Sequence, residues 1–340
     1  MSKKKILVTG GAGFIGGHTV VELAEAGYEP VIVDNLSRSD RTLLDGIGKI
    51  LKRKITFHEG DCSDLAFLSK VFEVEKNIEG VTHFAAYKSV GESVEQPVLY
   101  YSNNLNSLIT LLTVMRQFNV RDIIFSSSCT VYGQPDHIPV SEDAPVKRAQ
   151  SPYGATKQMC ERILEDVYPQ GRRVISLRYF NPIGAHPTAL IGELPVGVPG
   201  NLVPFITQTA IGKRQKLTVF GNDYNTPDGS CVRDFIHVVD VAKAHVRAID
   251  YLAKQKPDPS YKVLNLGTGV GASVLELVKK FQEVTGVKLN YSIGPRRPGD
   301  VEKTYADPTR AFTQLQWKPE FSLEQGLLHA WQWEKKLANA

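Results

Sequence analysis

The chain has 340 residues, of which 42% are hydrophobic and 22% are charged, and its net charge is +4. This length allows one large domain or two closely joined ones, each with its own core. Outside Lys3–Lys5 there is no basic run interleaved with aromatic residues, which argues against a nucleic-acid-binding protein. The apolar run after Lys5 is too short for a secretory signal, and no stretch reaches the roughly 18 apolar residues of a membrane span. We therefore expect a cytoplasmic protein.

The four cysteines and eight histidines show no ligand pattern. The cysteines lack Cys-x-x-Cys spacing, and the histidines lack the paired spacing of metal sites. We expect neither a disulfide framework nor a metal site.

The chain begins with a strand, a glycine turn and a helix. Lys4–Thr9 is predicted as a buried strand and His18–Ala26 as a helix. In the turn between them, Gly10 allows a tight bend, Gly13 allows close approach of a pyrophosphate, and Gly16 allows helix and strand to pack closely. The helix N-terminus would then face the phosphates. This order predicts a dinucleotide-binding loop.

An acidic residue follows the second predicted strand. Pro30–Val33 leads into Asp34, at the distance from Gly16 where a ribose-binding carboxylate belongs. Such a carboxylate accepts from the ribose hydroxyls and repels a 2'-phosphate, so NAD is favoured over NADP. Arg38 and Arg41 leave NADP as an alternative, because an arginine can receive that phosphate.

Strands and helices go on alternating along the first half. This predicts an α/β fold with a doubly wound, Rossmann-like parallel sheet, from strands Ile55–Gly60, Val81–Phe84, Ile123–Ser127 and Arg173–Leu177 and helices Asp64–Lys76 and Gln96–Phe118. Ligands of such sheets bind at the carboxyl ends of the strands, where we place Asp34, Asp61, Lys88 and Ser128.

A tyrosine and a lysine four residues apart follow a helix-start signal. Ser151 suits the N-cap and Pro152 the first helical position. On a helix Tyr153 and Lys157 share one face, so the ammonium would lower the tyrosine pKa from its usual value of about 10. Such a tyrosine can act as a general acid or base. By itself the pair is weak evidence, because two such residues are common on a solvated helix face, and the other motifs of the chain supply the context.

Together, these motifs resemble the extended short-chain dehydrogenase/reductase family. The resemblance is carried by the glycine loop at 9–16, Ser126-Ser127-Ser128 and Tyr153-x-x-x-Lys157. It narrows to the nucleotide-sugar 4-epimerases through further stretches at 88–93, 128–133, 178–187, 232–238 and 295–300, over nearly the whole chain.

The resemblance implies interconversion of UDP-galactose and UDP-glucose through a transient 4-keto sugar, with tightly bound NAD, in a homodimer. Tyr153 would take the proton of the sugar 4-hydroxyl, Ser128 would bond the same oxygen, and Lys157 would bond the nicotinamide ribose. The implied cofactor contacts are Gly10, Gly13, Phe14, Ile15, Gly16, Asp34, Asn35, Ser37, Asp61, Cys62, Phe84, Ala85, Ala86, Lys88, Asn103, Ser126, Tyr153, Lys157 and Phe180. The implied substrate contacts are Lys88, Ser128, Tyr153, Asn181, Asn201, Leu202, Thr218, Phe220, Arg233, Arg297, Asp300 and Thr304.

Two positions separate this chain from its sugar-dehydratase relatives. Those enzymes carry an Asp-Glu pair directly after the residue that matches Ser128, and here the positions hold Cys129 and Thr130. Without an acid to remove a proton and expel water, the chemistry stops at reversible oxidation.

The second half of the chain is predicted to bind the nucleotide sugar. We expect an NAD-binding domain at 1–180 and a smaller mixed α/β substrate domain at 181–340, with segments around 230–265 returning to the first domain. Asn181–Pro204 is rich in proline and glycine and predicts a long loop, of a kind that is usually functional or disordered, and the resemblance favours a functional one. A second glycine stretch, at 263–271, is rejected as a nucleotide site because Ser273 and Glu276 form a capping box. The apolar stripes of helices Val238–Leu252 and Ser322–Leu337 fit either the core or a dimer interface.

Thr304 bears on substrate choice. Some epimerases of this kind have a tyrosine at the matching position, and smaller residues accompany acceptance of N-acetylated sugars. Threonine leaves room, so we expect turnover of UDP-N-acetylglucosamine as well. Two rival functions stay open: another nucleotide-sugar epimerase or reductase of the family, and a non-catalytic NAD-sensing regulator.

Overall fold

The computed structural model describes residues 3–297 and 300–339. Within them, the strands are β1 (Lys5–Thr9), β2 (Glu29–Asp34), β3 (Thr56–Glu59), β4 (Ile78–His83), β5 (Asp122–Ser128), β6 (Arg173–Tyr179), β7 (Asn181–Ile183), β8 (Leu217–Phe220), β9 (Val232–Arg233), β10 (Phe235–His237), β11 (Ser260–Leu266), β12 (Ala272–Ser273), β13 (Tyr291–Gly294) and β14 (Lys303–Thr304). The helices are α1 (Phe14–Glu25), α2 (Arg41–Leu51), α3 (Leu65–Glu75), α4 (Val90–Glu95), α5 (Pro97–Gln117), α6 (Pro152–Val167), α7 (Leu202–Ala210), α8 (Val238–Lys254), α9 (Val274–Thr285), α10 (Thr309–Leu315) and α11 (Leu323–Ala338).

Seven parallel strands form the main sheet, in the order β11-β6-β5-β4-β1-β2-β3. Alternate residues of β1 enter opposite apolar layers: Ile6 and Val8 pack with α1, α2 and α8, whereas Leu7 packs with α3, α5 and α6. Both faces of the sheet are therefore covered by helices, as parallel sheets require. The predicted doubly wound α/β fold is confirmed.

Shorter strands and a third apolar cluster make up the smaller part. β8 pairs with β13, β9 with β12 and β14, and β7 with β10. The cluster joins α7, α9 and α11 through residues such as Ile206, Phe281 and Trp331. β11 nevertheless lies at the edge of the main sheet, beside β6.

Several helices, strands and loops begin or end at residues other than those predicted from the sequence. The helix predicted over Gln96–Phe118 begins at Pro97, and a separate short helix, α4, precedes it. The predicted loop Asn181–Pro204 was wrong at both ends, because Asn181–Ile183 is a strand paired with β10 and α7 begins at Leu202. We did not predict α2 at all.

Local signals in the second half behave as expected. The capping box of Ser273 and Glu276 is present and begins α9. The apolar stripes of α8 and α11 are mostly buried in the core, which decides between the two uses left open for them. Among the described residues, every helix is too short or too polar to cross a membrane.

Candidate active site

Tyr153 lies in the first turn of α6, and the residues before it explain its position. The Ser151 hydroxyl accepts a hydrogen bond from the Gly154 amide at 3.1 Å, and Pro152 is the first helical residue. The predicted helix start is confirmed. This start places Tyr153 and Lys157 one turn apart beside the carboxyl end of β5.

Lys157 is buried and bonded to the sheet. Its ammonium donates to the main-chain carbonyl of Ser126 at 2.6 Å and lies 4.9 Å from the ring centre of Phe125. The ammonium is 5.9 Å from the ring centre of Tyr153. Burial lowers the pKa of Lys157 to about 8.

The Tyr153 pKa differs from the sequence expectation. Removal from water raises the pKa of Tyr153 to about 12, and a hydrogen bond with Ser128 works in the opposite sense. The expected dominance of the Lys157 charge was wrong for the protein alone. The reason is that the ammonium is directed to the Ser126 carbonyl, so the desolvation cost of a phenolate outweighs its attraction.

Ser128 ends β5 with its hydroxyl on the Tyr153 side. The amide and the hydroxyl of Thr130 both donate to the Ser128 oxygen, at 3.2 and 3.0 Å. These bonds fix the Ser128 oxygen within reach of the tyrosine hydroxyl.

A buried ion pair behind this group was missed by sequence analysis. Glu161 accepts two hydrogen bonds from Arg178, at 2.9 and 2.6 Å, and one from the Ser127 hydroxyl at 2.6 Å. Glu161 lies one turn after Lys157 on α6. Because its partners Ser127 and Arg178 belong to β5 and β6, it joins α6 to both strands. The repeated four-residue spacing of Tyr153, Lys157 and Glu161 was the available signal.

The glycine loop has the shape that a dinucleotide requires. Gly10 has φ +71°, and a Cβ there would lie 2.8 Å from the Ala85 amide nitrogen. A Cβ on Gly16 would lie 2.2 Å from the Gly10 oxygen. Gly13 precedes α1 without a capping side chain, and the first turn, which includes Phe14 and Ile15, carries no acidic residue. The first-turn amides are thus left for an anion.

Asp34 ends β2 and arranges the loop around it. Its carboxylate accepts from the amides of Ala12 and Leu36, at 3.0 and 2.9 Å. Arg38 is paired with Glu92, and Arg41 with Glu59. Both arginines that could receive a 2'-phosphate therefore have acidic partners, which favours NAD over NADP.

Two loops meet where the adenosine end is expected. Asp61 accepts from the Ser63 amide at 2.8 Å and from the Asn35 amide group at 3.0 Å, and Asn35 accepts from the Ser37 amide at 3.0 Å. The Cys62 side chain is instead buried in the core below. A ligand at this point would meet Cys62 through its main chain.

The segment after β4 borders the glycine loop. Phe84 is bonded through its amide to the Thr9 carbonyl, and Ala85 lies against Gly10. The Lys88 ammonium is 5.9 Å from the ring centre of Phe14, at the start of α1. Ala86 lies between Ala85 and Lys88 in the chain. The Asn103 side-chain amide donates to the Asn104 side-chain oxygen at 3.0 Å.

Lys88 and Asn201 share a partner that sequence analysis missed. The ammonium of Lys88 and the amide of Asn201 donate to the same Glu193 oxygen, at 2.7 and 2.6 Å. Asn201 directly precedes Leu202, the first residue of α7. Glu193 therefore links the predicted cofactor side to the predicted substrate side. No periodic pattern surrounds Glu193, so the sequence offers no signal for it.

The structure brings together the residues predicted to bind uridine diphosphate. Asp300 lies 2.7 Å from Arg297 and 3.7 Å from Arg233. The Arg297 guanidinium is 5.9 Å from the ring centre of Phe220, which is 43% exposed on β8. Thr218 lies on the same strand, two residues before Phe220. Within the predicted motif at 295–300, Pro298 and Gly299 lie outside the described residues.

Three further residues that were predicted to contact a ligand lie in different surroundings. The Asn181 side-chain oxygen is buried and has no hydrogen-bond partner within residues 3–297 and 300–339, so it fits a donor from a ligand. Thr304 is half-buried and lies opposite Arg233 in the strand register. The Phe180 ring is buried in a small apolar cluster, so that only its main chain remains for a ligand.

Comparisons with known proteins identify relatives of this chain. A family model described as GDP-mannose 4,6 dehydratase matches residues 7–329. A UDP-glucose 4-epimerase from Dictyostelium discoideum is 48% identical over 332 residues, covering 97% of this chain and 95% of that protein. The crystal structure of UDP-glucose 4-epimerase from Bifidobacterium longum in complex with NAD+ and UDP has a TM-score of 0.94 at 45% identity, covering 98% of this chain and 99% of that one.

A further crystal structure adds a different ligand. UDP-glucose-4-epimerase from Stenotrophomonas maltophila, with bound NAD and formylated UDP-arabinopyranose, has a TM-score of 0.95 at 44% identity, covering 99% of each chain. Identity of this extent over nearly full length establishes the family. The chain belongs to the UDP-glucose 4-epimerases of the extended short-chain dehydrogenase/reductase family.

Proposed function

We propose that this protein interconverts UDP-galactose and UDP-glucose at C4 by an NAD-dependent mechanism. The observation that carries the proposal is the convergence of Tyr153, Ser128 and Lys157 at the carboxyl end of β5, close to the glycine loop. In open parallel sheets this is the edge where ligands bind. Relatives named UDP-glucose 4-epimerase, at 48% identity and less, support the same reaction.

The residues around α1 fit a dinucleotide. The loop from Gly10 to Gly16 would hold the pyrophosphate, Asp34 the adenosine ribose, and Lys157 the nicotinamide ribose. Bound NAD would supply the hydride acceptor for C4 and a positive charge that favours the ionised form of Tyr153, and it would return the hydride later. The reaction then has no net oxidation.

Tyr153 is the proton acceptor in the proposed mechanism. Its hydroxyl would take the proton of the sugar 4-hydroxyl as C4 is oxidised, while Ser128 bonds the same oxygen. The resulting 4-keto sugar turns about its diphosphate link and presents its other face. Tyr153 then returns the proton to the 4-oxygen, which gives the epimer.

The two residues after Ser128 support epimerisation over dehydration. Burial raises the pKa of Cys129 to about 12, so its thiol is a poor acid and a poor base near neutral pH. Thr130 directs its hydroxyl to Ser128 at 3.0 Å. Neither side chain is suited to remove a proton from C5 and expel water, although the matching family model is described as a dehydratase.

The charged cluster of the smaller part would hold the uridine diphosphate. Arg233 and Arg297 can each bind phosphate oxygens through paired donors, and both lie beside Asp300. Thr218 and Phe220 would flank the uracil, with Asn181, Asn201 and Leu202 nearer the sugar. Binding at the nucleotide end leaves the hexose free to turn.

N-acetylated UDP-hexoses are a second substrate class in this proposal. Thr304 is half-buried opposite Arg233, and its short side chain would leave space beside the sugar. We therefore assign UDP-N-acetylglucosamine as an additional substrate.

The homodimer is also part of the proposal. Large apolar side chains are exposed on three neighbouring helices: Val94 on α4, Val98 and Ile109 on α5, and Met159 on α6. An apolar surface of this kind is typical of an interface between subunits. A second copy of this chain would cover it.

Organisation and location complete the proposal. We divide the chain into an NAD-binding domain at 1–180 and a nucleotide-sugar domain at 181–340, with β11 and α8 belonging to the first. All four cysteines are free thiols, which is typical of the reducing cytoplasm where we place the protein.

Proton NMR of UDP-galactose incubated with purified protein tests the function. We expect the anomeric signal of UDP-galactose to be replaced by that of UDP-glucose up to equilibrium, with no added cofactor. Retention of UDP-galactose, or a strict need for free NADPH, would refute the proposal in favour of a sensor or a reductase.

A further inference from the structure

A second charged contact, outside the catalytic group, joins two loops of the main sheet. The Arg38 guanidinium donates to a Glu92 carboxylate oxygen at 2.7 Å. The same guanidinium lies 4.5 Å from the ring centre of Tyr87. Arg38 follows β2, whereas Tyr87 and Glu92 follow β4.

The Glu92 side of this contact is firmly held. The hydroxyl of the fully buried Tyr100 donates to the other Glu92 oxygen at 2.7 Å and accepts from the Ser89 amide at 3.0 Å. This hydrogen bond first, and the Arg38 charge second, lower the pKa of Glu92. Glu92 is therefore a firmly held anion, and Arg38 is the more exposed partner, with 43% of its side chain exposed against 24% for Glu92.

The order of strands places the contact across the dinucleotide loop. In the sheet, β1 lies between β4 and β2, so the loops after β4 and β2 flank the glycine loop after β1. A bridge from Arg38 to Glu92 must cross the end of β1. The neighbouring Lys88, 5.9 Å from the ring centre of Phe14, shows that this segment reaches the start of α1.

We propose that Arg38 and Glu92 form a clasp that closes over the dinucleotide loop and slows the release of bound NAD. The proposal rests on the proposed function, in which loss of the cofactor between the two hydride transfers would strand a 4-keto sugar. Both residues are positioning residues in this role. The clasp retains the cofactor and takes no part in the chemistry.

The expected effect is moderate. A half-exposed ion pair alone changes an equilibrium by about fivefold or less, and a cation–π contact adds a similar factor. We expect Arg38→Gln to speed release of NAD about tenfold. Because the pair is accessible to salt, release from the native protein should also accelerate with ionic strength.

A neighbouring ion pair supplies a matched control. Arg41, the first residue of α2, pairs with Glu59 at the end of β3, and this contact does not cross β1. Arg41→Gln removes the same charge from the same region. Because it leaves the contact between Arg38 and Glu92 intact, it should leave the release of NAD unchanged. The double variant, Arg38→Gln with Glu92→Gln, should release NAD no faster than either single variant, because both changes break the same contact.

The experiment measures NAD release directly. Protein loaded with NAD is diluted into buffer with an enzyme that destroys free NAD, and the NAD still bound is assayed over time at low and high salt. Faster, salt-insensitive release from the Arg38→Gln and Glu92→Gln variants, no further acceleration in the double variant, and native behaviour of Arg41→Gln support the clasp.

Equal release from the native protein and the Arg38→Gln variant would overturn the clasp. So would equal acceleration by Arg41→Gln. If a variant fails to fold, the salt dependence of the native protein decides: release that salt does not accelerate contradicts the proposal. The native protein's turnover of UDP-galactose is measured in parallel, so failure of the clasp leaves the proposed function standing, and absence of turnover refutes that function separately.

Discussion

The Lys157 ammonium donates a 2.6 Å hydrogen bond to the main-chain carbonyl of Ser126. This bond joins α6 to the carboxyl end of β5, and so helps to fix the distance between Tyr153 and Ser128. Because the ammonium is 5.9 Å from the tyrosine ring centre, its charge alone does not overcome the desolvation of the phenol. In the proposed mechanism the lysine therefore positions the site, and ionisation of Tyr153 would depend on the positive charge of the bound cofactor.

Gly16→Ala should abolish tight binding of NAD. The new Cβ would lie 2.2 Å from the Gly10 oxygen, so the glycine loop must move. Gly17→Ala is the matched control in the same helix, because its Cβ would meet only Ile47, at 3.5 Å, and Gly11, at 3.6 Å. We expect at least tenfold less NAD in purified Gly16→Ala protein, measured by absorbance after denaturation. Equal NAD content in both variants would contradict the assignment of the loop.

The stability of the protein should fall with acid in part through His237. Burial, followed by the nearby His329, lowers the pKa of His237 to about 2, whereas in the unfolded chain it is 6.5. The unfolded state therefore binds one more proton between these values. The contribution of His237 is complete above pH 6.5 and is lost as the pH falls, by about 1.4 kcal/mol per pH unit.

The His237→Asn variant tests this linkage. The His237 ring caps α8 by accepting a hydrogen bond from the Val239 amide at 3.1 Å. Asparagine can also cap the helix, but its side chain does not titrate. Urea unfolding of this variant from about pH 6 to about pH 4.5, a range between the two pKa values, should show a shallower loss of unfolding free energy than in the native protein. The exposed position His137→Asn is the control. Parallel curves for native protein and His237→Asn would refute the explanation.

Thr304→Tyr should separate the two substrate classes. The larger ring would fill the space opposite Arg233 and lower turnover of UDP-N-acetylglucosamine about tenfold or more, while UDP-glucose is spared. Thr304→Val keeps the width of the side chain and serves as control. Coupled assays of both substrates decide the matter. A parallel fall in both activities, or no acetylated turnover in the native protein, would exclude the second substrate.

Val98→Lys should dissociate the proposed homodimer. Val98 is 79% exposed on α5, and a charge there would have to be buried between the subunits. Val270→Lys, at a 69% exposed position after β11, is the control. Light scattering after size exclusion should give the mass of one chain for the first variant and of two for the second. An unchanged mass for Val98→Lys would place the interface elsewhere.

Local signals predicted much of this site. The N-cap of α6 and the glycines of the first loop depend on neighbouring residues, so the sequence alone reveals them. The Glu193 bridge escaped prediction because Lys88 and its partner are 105 residues apart in the chain. The direction of the Tyr153 pKa shift escaped for a related reason: burial is set by the whole fold, whereas spacing reports only which residues share a helix face.

In the proposed mechanism, Tyr153 takes the hydroxyl proton while C4 gives up its hydrogen as a hydride within one closed site. UDP-galactose carrying deuterium at C4 tests it most directly, with the deuterium content of the UDP-glucose product measured by NMR. We predict full retention of deuterium at C4 with the native protein, and turnover reduced roughly 10²- to 10⁴-fold by Tyr153→Phe while NAD stays bound. Exchange of the C4 deuterium with water, or undiminished turnover by Tyr153→Phe, would contradict the account.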